Sequence, residues 1–93
     1  MGPIEVGSAV TPVNGRYEGL PMVVVSTDGN YAEIVDGKRR RLARPKRKKL
    51  CHLRSISSDG AVLPVNAELT DGTVRRYLAS YRTVIPDKKH DSN

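Results

Sequence analysis

One segment of the chain concentrates positive charge, and its chemistry is that of a surface that binds a polyanion. Residues 38–54, KRRRLARPKRKKLCHLR, hold ten of the sixteen Lys and Arg residues and no Asp or Glu. The other residues carry six basic and ten acidic side chains, so the net charge of +6 originates in this segment. A mildly acidic body with one intensely basic segment favours a polyanionic partner that meets one face of the molecule.

The cation types suit contacts with a phosphate backbone. Arginine can grip phosphate oxygens with two parallel hydrogen bonds, whereas lysine acts as a mobile point charge. Tyr17, which the sequence places exposed in a loop, could also stack on a base, while Tyr31 is expected to be a core residue. The predicted nucleic-acid contacts are Arg16, Tyr17, Lys38, Arg39, Arg41, Arg44, Lys46, Arg47, Lys48, Lys49, His52 and Arg54.

The residues that could carry catalysis or hold a metal are sparse. We find no nucleophile with a neighbouring base, no pair of catalytic carboxylates and no phosphate-cradling motif, so we expect a protein that is not an enzyme and needs no cofactor. The single cysteine, Cys51, excludes an internal disulfide and a zinc site built on several cysteines. We expect Cys51 to be a small buried side chain.

Nothing in the sequence indicates contact with a membrane. No apolar run approaches the roughly 18 residues that a spanning helix needs. The first residues, MGPIEVGS, lack the charged and then apolar pattern of a signal peptide. We therefore expect a cytoplasmic monomer with no membrane partner.

Turn signals divide the first half of the chain into segments of strand length. Asn-Gly and Asp-Gly pairs, which tolerate the positive φ of tight turns, recur throughout. Strands are predicted at residues 4–10, 20–26, 30–35 and 49–56, with Ile4, Val6 and Val10 on one face of the first. The dipeptide Asp36-Gly37 predicts a two-residue hairpin loop that joins residues 30–35 to a fourth strand, KRRRLA, at residues 38–43. That loop length pairs Val35 with Lys38, Glu33 with Arg40 and Tyr31 with Leu42.

Five such strands predict a mainly β fold, a small five-stranded barrel over residues 1–56 with a C-terminal helix. Closure of the sheet would remove edges that promote aggregation. Residues 57–69 are predicted to be a connecting loop, 70–83 a helix and 84–93 a disordered tail. The helix presents an apolar stripe expected to pack on the barrel, formed by Val74, Tyr77, Leu78 and Tyr81. A helix that contacts RNA or another partner is the alternative.

Two parts of the sequence resemble one family. In GSAVTPVNGRYEG the spacing of Gly7, Val10, Gly15 and Gly19 resembles the KOW motif, which forms a strand, a glycine turn and the next strand of an SH3-like barrel. VDGKRRRLARPKRKKLCHL is similar to the second half of bacterial KOW-domain RNA-binding proteins, short stand-alone relatives of the large-subunit ribosomal protein fourteen family. Pro12 departs from the family pattern, since an apolar strand residue is usual there.

The resemblance implies a non-catalytic RNA-binding protein that is associated with the ribosome or with other structured RNA. Recognition would rest on the shape and the phosphate backbone of the RNA, with little sequence specificity. Three alternatives stay open. They are a DNA or transcription-complex adaptor of the elongation-factor type, a protein-interaction barrel, and a nuclear import signal at residues 44–49.

Overall fold

The chain folds into one antiparallel sheet and one helix in a computed structural model that describes residues 4–57 and 62–81. A 3-10 turn, Leu50–His52, separates the last two strands. The predicted mainly β class with one helix is confirmed. The elements are β1 (Ala9–Pro12), β2 (Met22–Asp28), β3 (Tyr31–Val35), β4 (Lys46–Lys49), β5 (Leu53–Ser55) and α1 (Asp71–Ala79).

The strands are arranged in the order β4-β3-β2-β1-β5, and every neighbouring pair is antiparallel. The strands β4 and β5 therefore lie at the two ends of the hydrogen-bonded order. Within residues 4–57 and 62–81 no ladder joins these two strands, so the sheet is not closed. The Gly29-Asn30 turn between β2 and β3 follows the predicted Asp-Gly signal, and Gly29 has a φ of 60°.

Both faces of the sheet are buried along the first part of β2, Met22–Val24, which explains the continuous apolar run there. Alternate strand residues point to opposite faces. Val23 belongs to a helix-side cluster, whereas Met22 and Val24 belong to an inner cluster. The inner cluster also contains Val10, Tyr17, Ala32, Ile34 and Leu53. The helix-side cluster also contains Ala9, Val35, Leu63, Val74, Leu78 and Tyr81.

The helix α1 packs its apolar stripe against the helix-side cluster. Val74, Leu78 and Tyr81 are buried, and Tyr77 is partly buried against them. Thr70 caps the helix, because its hydroxyl accepts a hydrogen bond from the amide of Thr73 at 3.1 Å. The helix is shorter than the predicted span and ends at Ala79. The end of that span, residues 82–83, and the predicted disordered tail lie outside the described residues.

The predicted first strand begins too early. Residues before Ala9 form a turn, in which Gly7 has a φ of 93° and the Ser8 hydroxyl accepts a hydrogen bond from the amide of Glu5 at 3.0 Å. Val6 is 41% exposed, so it does not share a buried face with Val10. Period-two spacing alone did not reveal that this backbone turns before the sheet begins.

The predicted hairpin at Asp36-Gly37 is wrong, and its register is replaced by another. β3 pairs with residues 46–49 and not with residues 38–43; Tyr31 lies opposite Lys49, Glu33 opposite Arg47 and Ile34 opposite Lys46. The intervening residues 36–45 form a long loop. Gly37 has the positive φ of a tight turn, but β4 occupies the edge of β3 with which a returning strand would pair.

The last predicted strand, residues 49–56, is interrupted by the 3-10 turn, and only residues 53–55 pair with β1. This turn carries Cys51 out of the sheet. The cysteine is exposed, which corrects the expectation of a small buried side chain. Leu53 is buried in the inner cluster, as its alternation with Arg54 indicates.

Candidate nucleic-acid interface

The loop of residues 36–45, here called the basic loop, is organised around one buried carboxylate. Asp36 is 9% exposed, and its Oδ1 accepts hydrogen bonds from the amides of Lys38 at 2.9 Å and Arg40 at 2.8 Å. The amides of Asp36 and Gly37 donate in turn to the carbonyl of Arg40. Asp side chains commonly organise turns in this way. Arg39 lies 3.8 Å from the other carboxylate oxygen.

The helix α1 holds the basic loop from the opposite side. Asp71 Oδ1 accepts a hydrogen bond from the amide of Leu42 at 2.8 Å, and Arg75 donates to the carbonyl of Gly37 at 2.5 Å. The side chain of Leu42 is partly buried against the helix-side cluster. A Cβ at Gly37 would lie 2.5 Å from the carbonyl oxygen of Asp71, so the loop and the helix fit closely only with glycine there.

Arg40 joins the basic loop to the loop between β1 and β2, residues 13–21, here called the glycine loop. Its Nε donates to the hydroxyl of Tyr17 at 3.0 Å, and its guanidinium lies 5.7 Å from the centre of the Tyr17 ring. Tyr17 is 7% exposed and belongs to the inner cluster. The expectation that Tyr17 is exposed and free to stack on a base is therefore wrong. The ring fills the core while its hydroxyl orients Arg40.

The glycine loop also contacts β4. Gly15 and Gly19 adopt positive φ values of 84° and 80°, which let the chain reverse within a few residues. Lys48 Nζ donates to the carbonyl of Asn14 at 3.2 Å. Arg16 is exposed at the loop's tip, with its guanidinium 6.0 Å from the Tyr17 ring. The glycine loop, the basic loop and β4 therefore form one continuous surface.

The strand β4 presents cations on both faces. Lys46 and Lys48 pair with the buried residues Ile34 and Ala32, so their side chains start on the inner face and are half-buried. Arg47 and Lys49 start on the outer face and are exposed. Lysine on an edge strand also discourages pairing with another sheet, which is the structural alternative to a binding role.

The predicted contacts are distributed unevenly over this surface. His52 is half-buried in the 3-10 turn, where its carbonyl accepts a hydrogen bond from the amide of Val13. Arg54 lies on β5 at the other end of the sheet order, opposite Thr11, and no described contact links it to the basic loop. The exposed members of the predicted set are Arg16, Lys38, Arg39, Arg41, Arg44, Arg47, Lys49 and Arg54.

Two arginines outside the predicted set contribute to the surface. Arg40 orders the basic loop, and Arg75 places the start of α1 against Gly37. No local pattern marks either residue, because each partner is distant along the chain. The usable sequence signal for Arg75 is the apolar stripe of the helix, which includes the neighbouring Val74. Val74 packs in the same cluster as Val35, and Val35 stands two residues before Gly37.

Other kinds of site find little support in residues 4–57 and 62–81. No group of three His, Cys, Asp or Glu side chains is placed to hold a metal ion there. No helix among these residues is long and apolar enough to cross a membrane. No protein-family model matches the chain, and no curated protein was found to match it.

Proposed function

We propose that this chain is a non-catalytic RNA-binding protein that grips the phosphate backbone of structured RNA, ribosomal RNA being the foremost candidate. The observation that carries the proposal is the fixed display of the basic loop. Asp36 orders the loop internally, and hydrogen bonds tie Arg40 to Tyr17 and Leu42 to Asp71, so the loop is not a free arm. The cations of this loop that stay exposed are Lys38, Arg39, Arg41 and Arg44.

Strand geometry supports an SH3-like barrel as the scaffold. In a flat sheet of five strands the two edge strands, here β4 and β5, would lie about 19 Å apart, at about 4.8 Å between neighbouring strands. Only the three residues Leu50–His52 join the edge strands β4 and β5, a link that reaches at most roughly 14 Å. The sheet must therefore curl strongly, which is the geometry that the KOW resemblance implies.

Binding would be driven by release of counterions from the phosphates. Each cation that neutralises a phosphate releases condensed ions, so affinity falls as salt rises. Five phosphate contacts would give a slope of about −3.5 to −4.5 in log K against log salt. Cations on an anchored loop lose less conformational freedom on binding than cations on a disordered arm.

The surface favours recognition of backbone and shape. Tyr17 is buried, so it offers no stacking face, and the cations of the basic loop and β4 suit phosphate oxygens. Such binding is that of a protein which docks on folded RNA, as the resemblance to ribosomal proteins implies. The protein would act as a monomer in the cytoplasm.

A charge substitution with a matched control tests the proposal. Arg41 and Arg44 are exposed on the basic loop, and their side chains make no hydrogen bond or ion pair within residues 4–57 and 62–81. The double substitution Arg41→Gln and Arg44→Gln should make the salt slope for a structured RNA shallower by about 1.4–1.8, at roughly 0.7–0.9 per lost contact. Arg76→Gln, on the exposed side of α1, should leave the slope unchanged.

The same titrations decide between this proposal and its rivals. If the double variant binds structured RNA with the slope of the unsubstituted protein, the RNA-binding role of the basic loop is wrong, and a protein-interaction barrel replaces it. A preference for duplex DNA over structured RNA at matched salt would assign the transcription-complex adaptor. Nuclear import is disfavoured because residues 46–49 form a paired strand, β4.

A further inference from the structure

The outer face of β2, β3 and β4 carries a cleft that phosphate binding does not explain. On this face two rows of side chains run across the three strands, and each row consists of residues that are paired between neighbouring strands. The helix α1 covers the end of the face near Val23 and Val35, and the two rows lie beyond it. Every member of these rows except Lys49 lines an open cleft of about 200 Å³, together with Ala32. The rows are Ser26, Glu33 and Arg47, and Asp28, Tyr31 and Lys49.

The cleft contains an arginine over a tyrosine ring, and a flat ligand could lie on this pair. The guanidinium of Arg47 lies 4.2 Å from the centre of the Tyr31 ring. Asp28 Oδ2 lies 3.7 Å from Nη2 of the same guanidinium, and the Arg47 side chain remains 53% exposed. Arginine planes and tyrosine rings are the surfaces on which proteins stack unpaired nucleobases.

The polar wall of the cleft is acidic, although the neighbouring loop and strand are strongly basic. Glu33 Oε1 accepts a hydrogen bond from the Ser26 hydroxyl at 2.8 Å. Within residues 4–57 and 62–81, Glu33 Oε2 has no donor, because the ion pair of Arg47 is with Asp28. Two carboxylates and one guanidinium line the cleft, so a neutral group rich in hydrogen-bond donors fits here better than a phosphate.

A carboxylate can only accept hydrogen bonds, and this property selects among the bases. Guanine presents two adjacent donors on its Watson–Crick edge, N1–H and the N2 amino group. The other three bases each present a single donor position beside an acceptor. From this match we infer that the cleft binds one unpaired guanine of the RNA, stacked on the guanidinium of Arg47 that itself lies over Tyr31, with the edge of the base on Glu33. The inference deepens the proposed function and rests on it.

The test compares short oligouridines that carry one central guanine, inosine or adenine. Inosine keeps N1–H but lacks the N2 amino group, so it removes one of the two donors. Fluorescence anisotropy at fixed salt should give the guanine strand an affinity about tenfold above the other two, the discrimination typical of a bidentate contact. This comparison uses the unsubstituted protein and does not depend on the folding of a variant.

A protein variant then assigns the preference to the cleft. Glu33→Gln exchanges a carboxylate that only accepts for an amide that also donates, and it should abolish the preference for guanine. The variant also loses one negative charge, so its affinity for plain oligouridine should rise slightly. The matched control is Glu68→Gln, on an exposed turn, which makes the same charge change and should keep the preference.

The outcomes separate this inference from the function on which it rests. Equal affinity for the guanine, inosine and adenine strands would overturn the guanine site and leave phosphate-backbone binding in place. A guanine preference that survives Glu33→Gln would also overturn it. Failure to bind any of these strands or a structured RNA would overturn the proposed function itself.

Discussion

At the scale of single residues, arginines that are neighbours in the sequence have different roles. Arg40 and Arg41 are neighbours in a run of three arginines, yet Arg40 is half-buried and Arg41 is exposed. The difference arises from Tyr17, whose hydroxyl accepts a hydrogen bond from Arg40 Nε. A guanidinium held in this way orders the glycine loop and the basic loop together, and it leaves phosphate contacts to its neighbours.

Tyr17→Phe tests this role of Arg40. The substitution keeps the buried ring but removes the acceptor, so the free energy of unfolding should fall by about 0.5–1.5 kcal/mol, the usual net value of a hydrogen bond. Urea unfolding measures the loss. The control is Tyr31→Phe, because no hydrogen bond of the Tyr31 hydroxyl is found in the described part of the chain. Equal losses in the two variants would show that the Arg40–Tyr17 hydrogen bond does not stabilise the fold.

Tyr77 makes stability depend on pH in the alkaline range. Burial and the hydrogen bond with Tyr81 together raise the pKa of Tyr77 to about 12, and a hydrogen bond with Ser57 opposes the rise. The ordinary pKa of tyrosine is about 10, so the unfolded chain loses this proton first. The stabilising contribution is complete below about pH 10 and is lost as the pH rises towards 12.

Spectroscopic titration of the four tyrosines checks this assignment. One tyrosinate signal should appear about two pH units after the ordinary value, and Tyr77→Phe should remove it. The same variant should flatten the decline in unfolding free energy between about pH 10 and pH 12. Titration of all four tyrosines together near the ordinary pKa would contradict the assignment.

At the scale of elements, the basic loop and α1 stabilise each other. Asp71 lies at the first position of the helix and accepts from Leu42, while Arg75, one turn later, donates to Gly37. The helix therefore positions the cationic loop as well as covering the sheet. Neither contact involves residues that are close in the sequence.

Gly37→Ala tests the fit between the loop and the helix. Gly37 has a φ of 78°, and an added Cβ would approach the Asp71 carbonyl oxygen to 2.5 Å. Gly29→Ala is the matched control, since its φ is 60° and no atom of the described residues lies within 4 Å of the added Cβ. The control should cost about 1–2 kcal/mol for the left-handed backbone alone.

The Gly37 variant should lose roughly 1–3 kcal/mol more than the Gly29 variant, because overpacking adds to the backbone strain. Urea unfolding of both proteins gives the difference. Equal losses would mean that the helix does not restrict the loop at Gly37.

The same loop shows where prediction from the sequence succeeds and where it ends. The turn at Gly29, the apolar strand β2 and the capped helix α1 were predictable, because their signals are local. The fourth strand was placed at residues 38–43 instead of 46–49, because Asp36-Gly37 reads locally as a short hairpin. What decides the structure is the pairing of β3 with residues 46–49, together with the contacts that Asp71 and Arg75 make with the loop, and no local pattern reveals either.

The candidate site was likewise predictable in composition but not in arrangement. Charge counting identified the segment, yet it could not separate the exposed Arg41 and Arg44 from the half-buried Arg40 and Lys48. It also placed Tyr17 at the surface. Tertiary partners fixed these differences, since Tyr17 reaches Arg40 across 23 positions and Lys48 reaches Asn14 across 34.

At the scale of the whole molecule, the fold separates a small apolar core from a concentrated charge. Two clusters bury the two faces of one sheet, while the glycine loop, the basic loop and β4 collect the cations at one edge. In our proposal, the cations that bind the RNA backbone are held in place by other residues that do not contact the RNA. The central claim is therefore that the cationic segment is ordered before RNA arrives.

Amide hydrogen exchange on the free protein tests that claim most directly. The amides of Lys38, Arg40, Leu42 and Arg44 each donate to a defined acceptor, so we predict slowed exchange at all four. Exchange at the rates of an unstructured peptide at these positions, with β2 and β3 still protected, would contradict the account.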